Sequence, residues 1–424
     1  MPDGPSDFLW GSATAAHQVE GGNRHSDWWE YEQQGRLPFR SGDACRHYER
    51  YAEDFDLARA LGQNAHRFSI EWSRLEPADG VWDEAALAHY VDVVAALRAR
   101  GLEPVVTLHH FTNPAWFLRA GGWTRADAPA RFARYVDRVA RALAPSVRWW
   151  LTINEPTVYA MEGYVLGEWP PCRPWAWRAA VTVVRRMAVA HSAAYAVLHR
   201  HRSDARVGFA HSAPLVLPCR PTSLGDRLAA GVRDAVLNRA FFRLIGAAAG
   251  PRPRPGAMDF VGVNYYTRHV VKSEGLGLGR LVGHVCQAPH HGGDGPRSAI
   301  GWEVYPEGLA AVAARYAGYG LPVIITENGI ATGDDALRAE FLRGHLAALD
   351  GAIAAGVPVA GYFHWSLIDN FEWAHGMGAR FGLASVDATT LARTPKPSAD
   401  VYAEACRRGR AAADGSSAAA RLSR

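Results

Sequence analysis

The chain has 424 residues, 48% hydrophobic and 21% charged, with a formal net charge of +4. No run approaches the ~20 apolar residues needed to span a bilayer, and five scattered cysteines without C-x-x-C spacing argue against a disulfide framework or a zinc site. The tail from Arg407 holds five arginines against one aspartate, so the body is about neutral and nothing points to nucleic-acid binding.

This length allows two ordinary domains or one large α/β barrel with insertions. The start, "MPDGPSDFLWGSAT", lacks the basic region and apolar core of a secretion signal, so a cytoplasmic protein is expected. The first β-rich run is "FLWGSAT" (8–14), followed by "AHRFSI" (65–70). "DEAALAHYVDVVAALRARG" (83–101) then has apolar residues at helical spacing, with Gly101 as its stop. "PVVTLHH" (104–110) returns to strand, "ADAPARFARYVDRVARALA" (126–144) to helix, and "WWLTIN" (149–154) to strand. A long helix is expected over 178–201, then strands "RVGFAH" (206–211), "DFVGVNYY" (259–266), "VIITEN" (323–328) and "VAGYFHWS" (359–366). "GPRPRPG" near 250 and "HHGGDGP" near 290 read as loops. Eight strands separated by helices predict a single (β/α)8 TIM barrel over residues 1–406, with 407–424 as a disordered basic tail. No G-x-G-x-x-G follows the first strand, which removes the main reason to expect a dinucleotide fold.

In such a barrel the active site lies at the C-terminal ends of the strands. Polar residues concentrate there: Gln18, Arg67, Glu71, His109, His110, Asn154, Glu155, Asn264 to Tyr266, Glu327, and Trp365 to Trp373. Pro156 cannot donate a ladder hydrogen bond, so the fourth strand should stop there and leave Glu155 at the rim. Glu327 closes the seventh strand, and Gly329 lets the chain turn away. The two carboxylates would face each other across the mouth. Facing carboxylates suit glycoside hydrolysis, one protonating the leaving oxygen while the other attacks or directs water. Gln18, His110, Asn154 and Trp373 are residue types that grip a sugar by hydrogen bonds and stacking.

"FLWGSATAAHQVEG", "HRFSIEWSR", "TLHHF", "TINEP", "GVNYYT", "GWEVYPEGL", "ITENG" and "WSLIDNFEWAHGMGARFG" occur in this order across nearly all of the chain except the tail. The chain thereby resembles the β-glucosidase family, glycoside hydrolase family 1. The resemblance implies a retaining β-glycosidase of the β-glucosidase type that needs no metal or other cofactor. It would act on small-molecule β-glycosides or short oligosaccharides. It makes Glu155 the acid/base and Glu327 the nucleophile, with Arg67 and Tyr266 holding the nucleophile ionised and aimed. Gln18, His110, Asn154, Glu372 and Trp373 match the hydroxyl-binding set, Trp365 the floor under the sugar ring, and Trp302 a wall of the leaving-group site. Phe111 stands where many relatives carry Trp after the His. Relatives acting on 6-phosphosugars place Ser, Lys and Tyr where this chain has Glu372, Ala379 and Phe381, so a phosphorylated sugar is not expected.

A metal-dependent hydrolase is disfavoured because adjacent strand residues point to opposite faces, so His109 and His110 would not share one ion. A non-catalytic glycan-binding barrel is disfavoured by the presence of both glutamates. Transglycosylation in place of hydrolysis is not decided by the sequence.

Overall fold

The structure, a computed structural model, describes residues 8–246, 257–273, 283–286 and 295–409. Eight strands form the barrel: β1 (Leu9–Ala13), β2 (Ala65–Ser69), β3 (Glu103–Thr107), β4 (Trp149–Asn154), β5 (Arg206–Ser212), β6 (Val261–Asn264), β7 (Val323–Asn328) and β8 (Val359–Trp365). Every neighbouring pair is parallel, and β1 closes the ring by pairing with both β2 and β8. The expected TIM barrel is therefore the fold.

Side-chain alternation splits the strands between two cores, as the two-residue period of a strand requires. Leu9, Val105, Leu151 and Ile324 point into the barrel, where they meet Phe260 and Phe363. Their neighbours Trp10, Val106, Trp150 and Ile325 point outward and pack under the helices. The three helices expected from periodicity are present as Glu84–Ala99, Ala128–Leu143 and Trp177–His201. Asp83 caps the first by accepting from the Ala86 N–H at 2.9 Å. Gly101 follows its C-terminus at φ +69°, a left-handed position that glycine adopts without a Cβ clash.

Two strand boundaries fall short of expectation. β3 ends at Thr107, and β6 covers only Val261–Asn264. The backbone beyond β3 still bonds to its neighbour: Leu108 N–H donates to Leu151 O at 2.8 Å and Asn154 N–H to His109 O at 2.8 Å. Regular pairing has been lost there, but the contact that positions His109 and His110 has not. Two small sheets were not anticipated. One joins Leu215–Pro218, Arg268–Lys272 and His284–Val285; the other is a hairpin of Ala384–Val386 with Arg393–Pro395. The "GPRPRPG" loop and residues 290–294 of "HHGGDGP" lie outside the described residues. The last helix runs over 398–409, three residues into the segment expected to be disordered, and the rest of that tail is outside the described residues. No helix among the described residues is long and apolar enough to cross a membrane.

Candidate active site

Glu155 follows the last residue of β4 and adopts φ +43°, ψ +59°, a left-handed conformation that a residue with a Cβ enters at a cost of roughly 1–2 kcal/mol. Its backbone N–H is tied to Ala210 O of β5 at 2.8 Å. Pro156 then opens the helix Pro156–Met161, where a missing N–H costs nothing. Proline thus both ends the strand and starts a helix, and Glu155 is the hinge between them.

Glu327, near the end of β7, lies three strands from β4 around the ring. Both of its oxygens are held. Arg67 Nη1 donates to Oε1 at 2.6 Å, and the Tyr266 hydroxyl donates to Oε2 at 2.6 Å. Arg67 is completely buried and reaches three other strands, since it also donates to Thr107 Oγ1 (3.1 Å), Thr326 O (3.0 Å) and Asn154 Oδ1 (2.7 Å). Burial and the neighbouring carboxylates push the Tyr266 phenol well above its ordinary value, so it remains a donor.

Glu155 is held differently. Asn264 Nδ2 donates to its Oε1 at 2.8 Å and to Asn154 Oδ1 at 3.2 Å, while Asn264 Oδ1 accepts from Thr326 at 2.6 Å. Burial, then the charge of Glu327, raises the Glu155 carboxyl well above the ordinary range; the Asn264 hydrogen bond and Arg67 oppose this only in part. The two glutamates therefore differ in surroundings: one is met by a cation and a phenol, the other by an amide and a negative neighbour. Such a pair can supply a proton and an anionic nucleophile at the same pH. Asn264 belongs to "GVNYYT", where its strand-end position is the one sequence signal of this role.

A cavity of about 890 Å³ is lined by Glu155, Glu327, His110, Tyr266, Trp302, Trp365, Glu372, Trp373 and Phe381 among others; Gln18 and Asn154 lie behind this lining. The His110 ring lies nearly parallel to Trp365 (5.7 Å between centroids, 17°) and Trp373 (6.1 Å, 12°). Burial, Arg67 and His109 hold His110 well below the usual imidazole value, so it is neutral. Its Nε2 is 3.3 Å from Asn154 Nδ2, which leaves Nδ1 without a partner among the described residues. His109 turns the other way, to Asn113 Oδ1 at 3.0 Å, as expected of an adjacent residue. Trp302 is partly exposed at the rim, its ring 5.2 Å from that of Tyr266, and Phe381 packs 6.0 Å from the same tyrosine.

Gln18 departs from expectation. The resemblance puts it in the hydroxyl-binding set, yet its Nε2 is occupied by Asn370 Oδ1 (3.1 Å), Phe371 O (2.9 Å) and Glu372 Oε2 (3.0 Å). Only Oε1, which is buried, has no partner among the described residues. The Gln18 amide instead aims Glu372, whose carboxyl is raised by burial. The described residues contain no group of three or more His, Cys, Asp or Glu side chains able to hold a metal ion. Trp169 was missed altogether. It lines the cavity and packs against Phe111 (4.7 Å) and Trp373 (5.7 Å), and its position after a helix gave no periodic signal.

The model of glycosyl hydrolase family 1 matches residues 3–253 and 254–410. The chain belongs to this family. A β-glycosidase structure from Pyrococcus horikoshii is 40% identical with a TM-score of 0.85, covering 96% of this chain and 95% of that one. A β-glucosidase from Thermotoga maritima in complex with glucoimidazole is 29% identical with a TM-score of 0.87, covering 96% and 99%. A β-galactosidase from Pyrococcus woesei is 30% identical over 92% of this chain and 94% of that protein. This family 1 enzyme is accordingly a β-glycosidase, and the names of its relatives span more than one sugar.

Proposed function

We propose that the chain is a retaining β-glycosidase of the β-glucosidase type, which removes terminal non-reducing β-D-glucosyl and related residues through a covalent glycosyl-enzyme. The observation that carries this reading is the unequal environment of the two glutamates: Glu327 clamped by Arg67 and Tyr266, Glu155 raised by burial and by Glu327. In the first step a Glu327 oxygen bonds to the anomeric carbon as the glycosidic C–O bond breaks. The departing oxygen keeps the bonding pair and takes the proton of Glu155. In the second step Glu155, now a carboxylate, takes a proton from water. The water oxygen bonds to the anomeric carbon, and the ester bond to Glu327 breaks to restore its charge. Two inversions leave the β configuration unchanged. Glu155 must be protonated first and basic second, and loss of the Glu327 charge in the ester lowers its proton affinity at the right moment.

Glu372, Gln18 Oε1 and His110 provide acceptors and donors for the sugar hydroxyls, with Asn154 on the path to the nucleophile. None of these strictly rejects an axial hydroxyl, so fucosides and galactosides should be accepted beside glucosides. The odd number of cysteines and their unpaired spacing support a cytoplasmic setting.

A 2-deoxy-2-fluoro-glucoside should label one peptide, that containing Glu327, and the first-formed sugar seen by proton NMR should be β. Retaining enzymes hold their carboxyls roughly 5–5.5 Å apart, inverting ones ~6.5–9.5 Å. An α product, or a label elsewhere, would overturn the assignment. Glu155→Ala should keep substrates with good leaving groups and yield a β-glycosyl azide when azide is added.

A further inference from the structure

His17 precedes Gln18 on the short helix Ala16–Val19 that follows β1, and it lies buried behind the cavity lining. Gln18 aims Glu372 through its amide; His17 meets the next residue of the same loop, Trp373, ring to ring at 5.7 Å and 11°. With Trp373 against His110 at 12° and His110 against Trp365 at 17°, four rings in near-parallel succession run from buried His17 to the cavity-lining Trp365. Trp373 needs such support. Its backbone sits at φ +49°, a left-handed conformation that a residue with a Cβ keeps only where its surroundings impose it.

Both nitrogens of the His17 ring are fixed. Asn23 Nδ2 lies 3.0 Å from Nδ1, and Asn23 Oδ1 accepts from Ser73 Oγ at 2.8 Å, so the amide turns its N–H toward the ring. Nδ1 therefore accepts, and Nε2 donates to Glu32 Oε1 at 3.1 Å. The other oxygen of Glu32 accepts from Ser41 N–H (3.0 Å) and Ser41 Oγ (2.8 Å). The His17 and Glu32 side chains are both fully buried. A ring that merely filled space would not call for a buried carboxylate beside it, whose desolvation is costly. Hydrogen bonds at both nitrogens stop the imidazole turning about its Cβ–Cγ bond, and so set the plane against which Trp373 lies.

We infer that His17, held by Glu32 and Asn23, is a positioning residue that fixes the Trp373 indole in the orientation that receives the sugar. The inference rests on the β-glycosidase reading above, in which Trp373 grips the sugar; His17 itself does not touch it. Any effect of His17 on turnover must therefore pass through Trp373.

The test is a double-mutant cycle read with p-nitrophenyl β-D-glucoside. Leucine is close to histidine in volume but has neither the flat face nor the ring nitrogens. Losing a stacked aromatic pair together with the hydrogen bonds that orient it is worth about tenfold. The sugar is bound before the reaction as well as during it, so His17→Leu should raise KM by about that factor and lower kcat no more than about threefold. In the Trp373→Ala background the same substitution should change KM less than about twofold, because a residue that acts through another has nothing left to act on. Glu32→Gln keeps an acceptor for Nε2 but weakens the hold, so it should raise KM about two- to threefold and have no effect in the Trp373→Ala background. It replaces His17→Leu in the cycle if that variant fails to fold. Equal factors in the two backgrounds would overturn the inference. So would a lower Tm and kcat at unchanged KM, the result expected of a residue that only fills the core. An unaltered protein that turned over no β-glycoside would sink the β-glycosidase reading and the inference with it.

Discussion

Asn264 acts on Glu155 through one hydrogen bond whose removal has a definite sign. Its amide donates to the carboxylate form and so lowers the pKa that burial and Glu327 raise. Asn264→Ala should move the alkaline limb of the kcat/KM profile to higher pH. A hydrogen bond to a charged group is worth ~1.5–3 kcal/mol, so kcat/KM should fall about ten- to a hundredfold. A limb that stayed put or moved down would mean that another group controls it. Glu372 offers a comparison at the same scale. On the proposed reading Glu372→Ala deletes hydrogen bonds to sugar hydroxyls and should cost far more kcat/KM than Phe111→Trp, which reshapes one aromatic wall. Similar losses from the two would place the sugar elsewhere. Glu155 and Glu327 were legible in the sequence because each ends an apolar run beside a residue that stops or redirects the chain. The orientation of Gln18 was not legible, because it depends on Asn370, Phe371 and Glu372, which lie more than 350 positions away and reach it only when the barrel closes.

Between β7 and β8 the backbones approach closely at Gly329. A Cβ there would lie 1.8 Å from Trp365 O, so the residue was read correctly as special but for the wrong reason. Close packing against the end of β8, more than a turn, demands glycine. Gly329→Ala should push Trp365 and the Glu327 end of β7 apart. Overpacking of this kind costs typically 1–3 kcal/mol, and the variant should lose both melting temperature and kcat/KM. Full activity with a lower Tm would show that the strand ends adjust independently. The barrel strands could be found from sequence because each is a short apolar run between helices of 3.6-residue period. Leu215–Pro218 and His284–Val285 could not, being short, half-buried strands with little alternation to read. The cavity wall contributed by Met161 and Val236 was equally hidden, since both belong to helical segments whose facing is set by tertiary packing.

Across the whole molecule, buried histidines dominate the response to acid. Burial lowers His66, His211 and His364 to about 3, and His89, His109, His191, His269 and His345 to about 4. Their folded values lie below the unfolded one, so the stability they contribute is complete above about pH 6.5 and is lost as the pH falls toward 4. Raised carboxyls act in the opposite sense: Asp27 and Glu162, each raised to about 7 chiefly by burial, favour the fold at low pH and lose that contribution as the pH rises through 7. The histidines are more numerous, so Tm should fall steadily between pH 6 and pH 4. A Tm that rose over that interval would refute the balance. The clamp on Glu327 carries the same reasoning into the active site. Arg67 is a wholly buried cation braced against three other strands, and Glu327 is the carboxylate that neutralises it. Removing the partner of a buried charge typically costs 3–5 kcal/mol, so Glu327→Ala should melt well below the unaltered protein. Glu155→Gln should do the reverse, because it removes an acid that burial and a like charge disfavour at neutral pH. The two variants would then stand on opposite sides of the unaltered protein in thermal stability: one glutamate is a keystone of the barrel, the other a strain that the proposed turnover would explain.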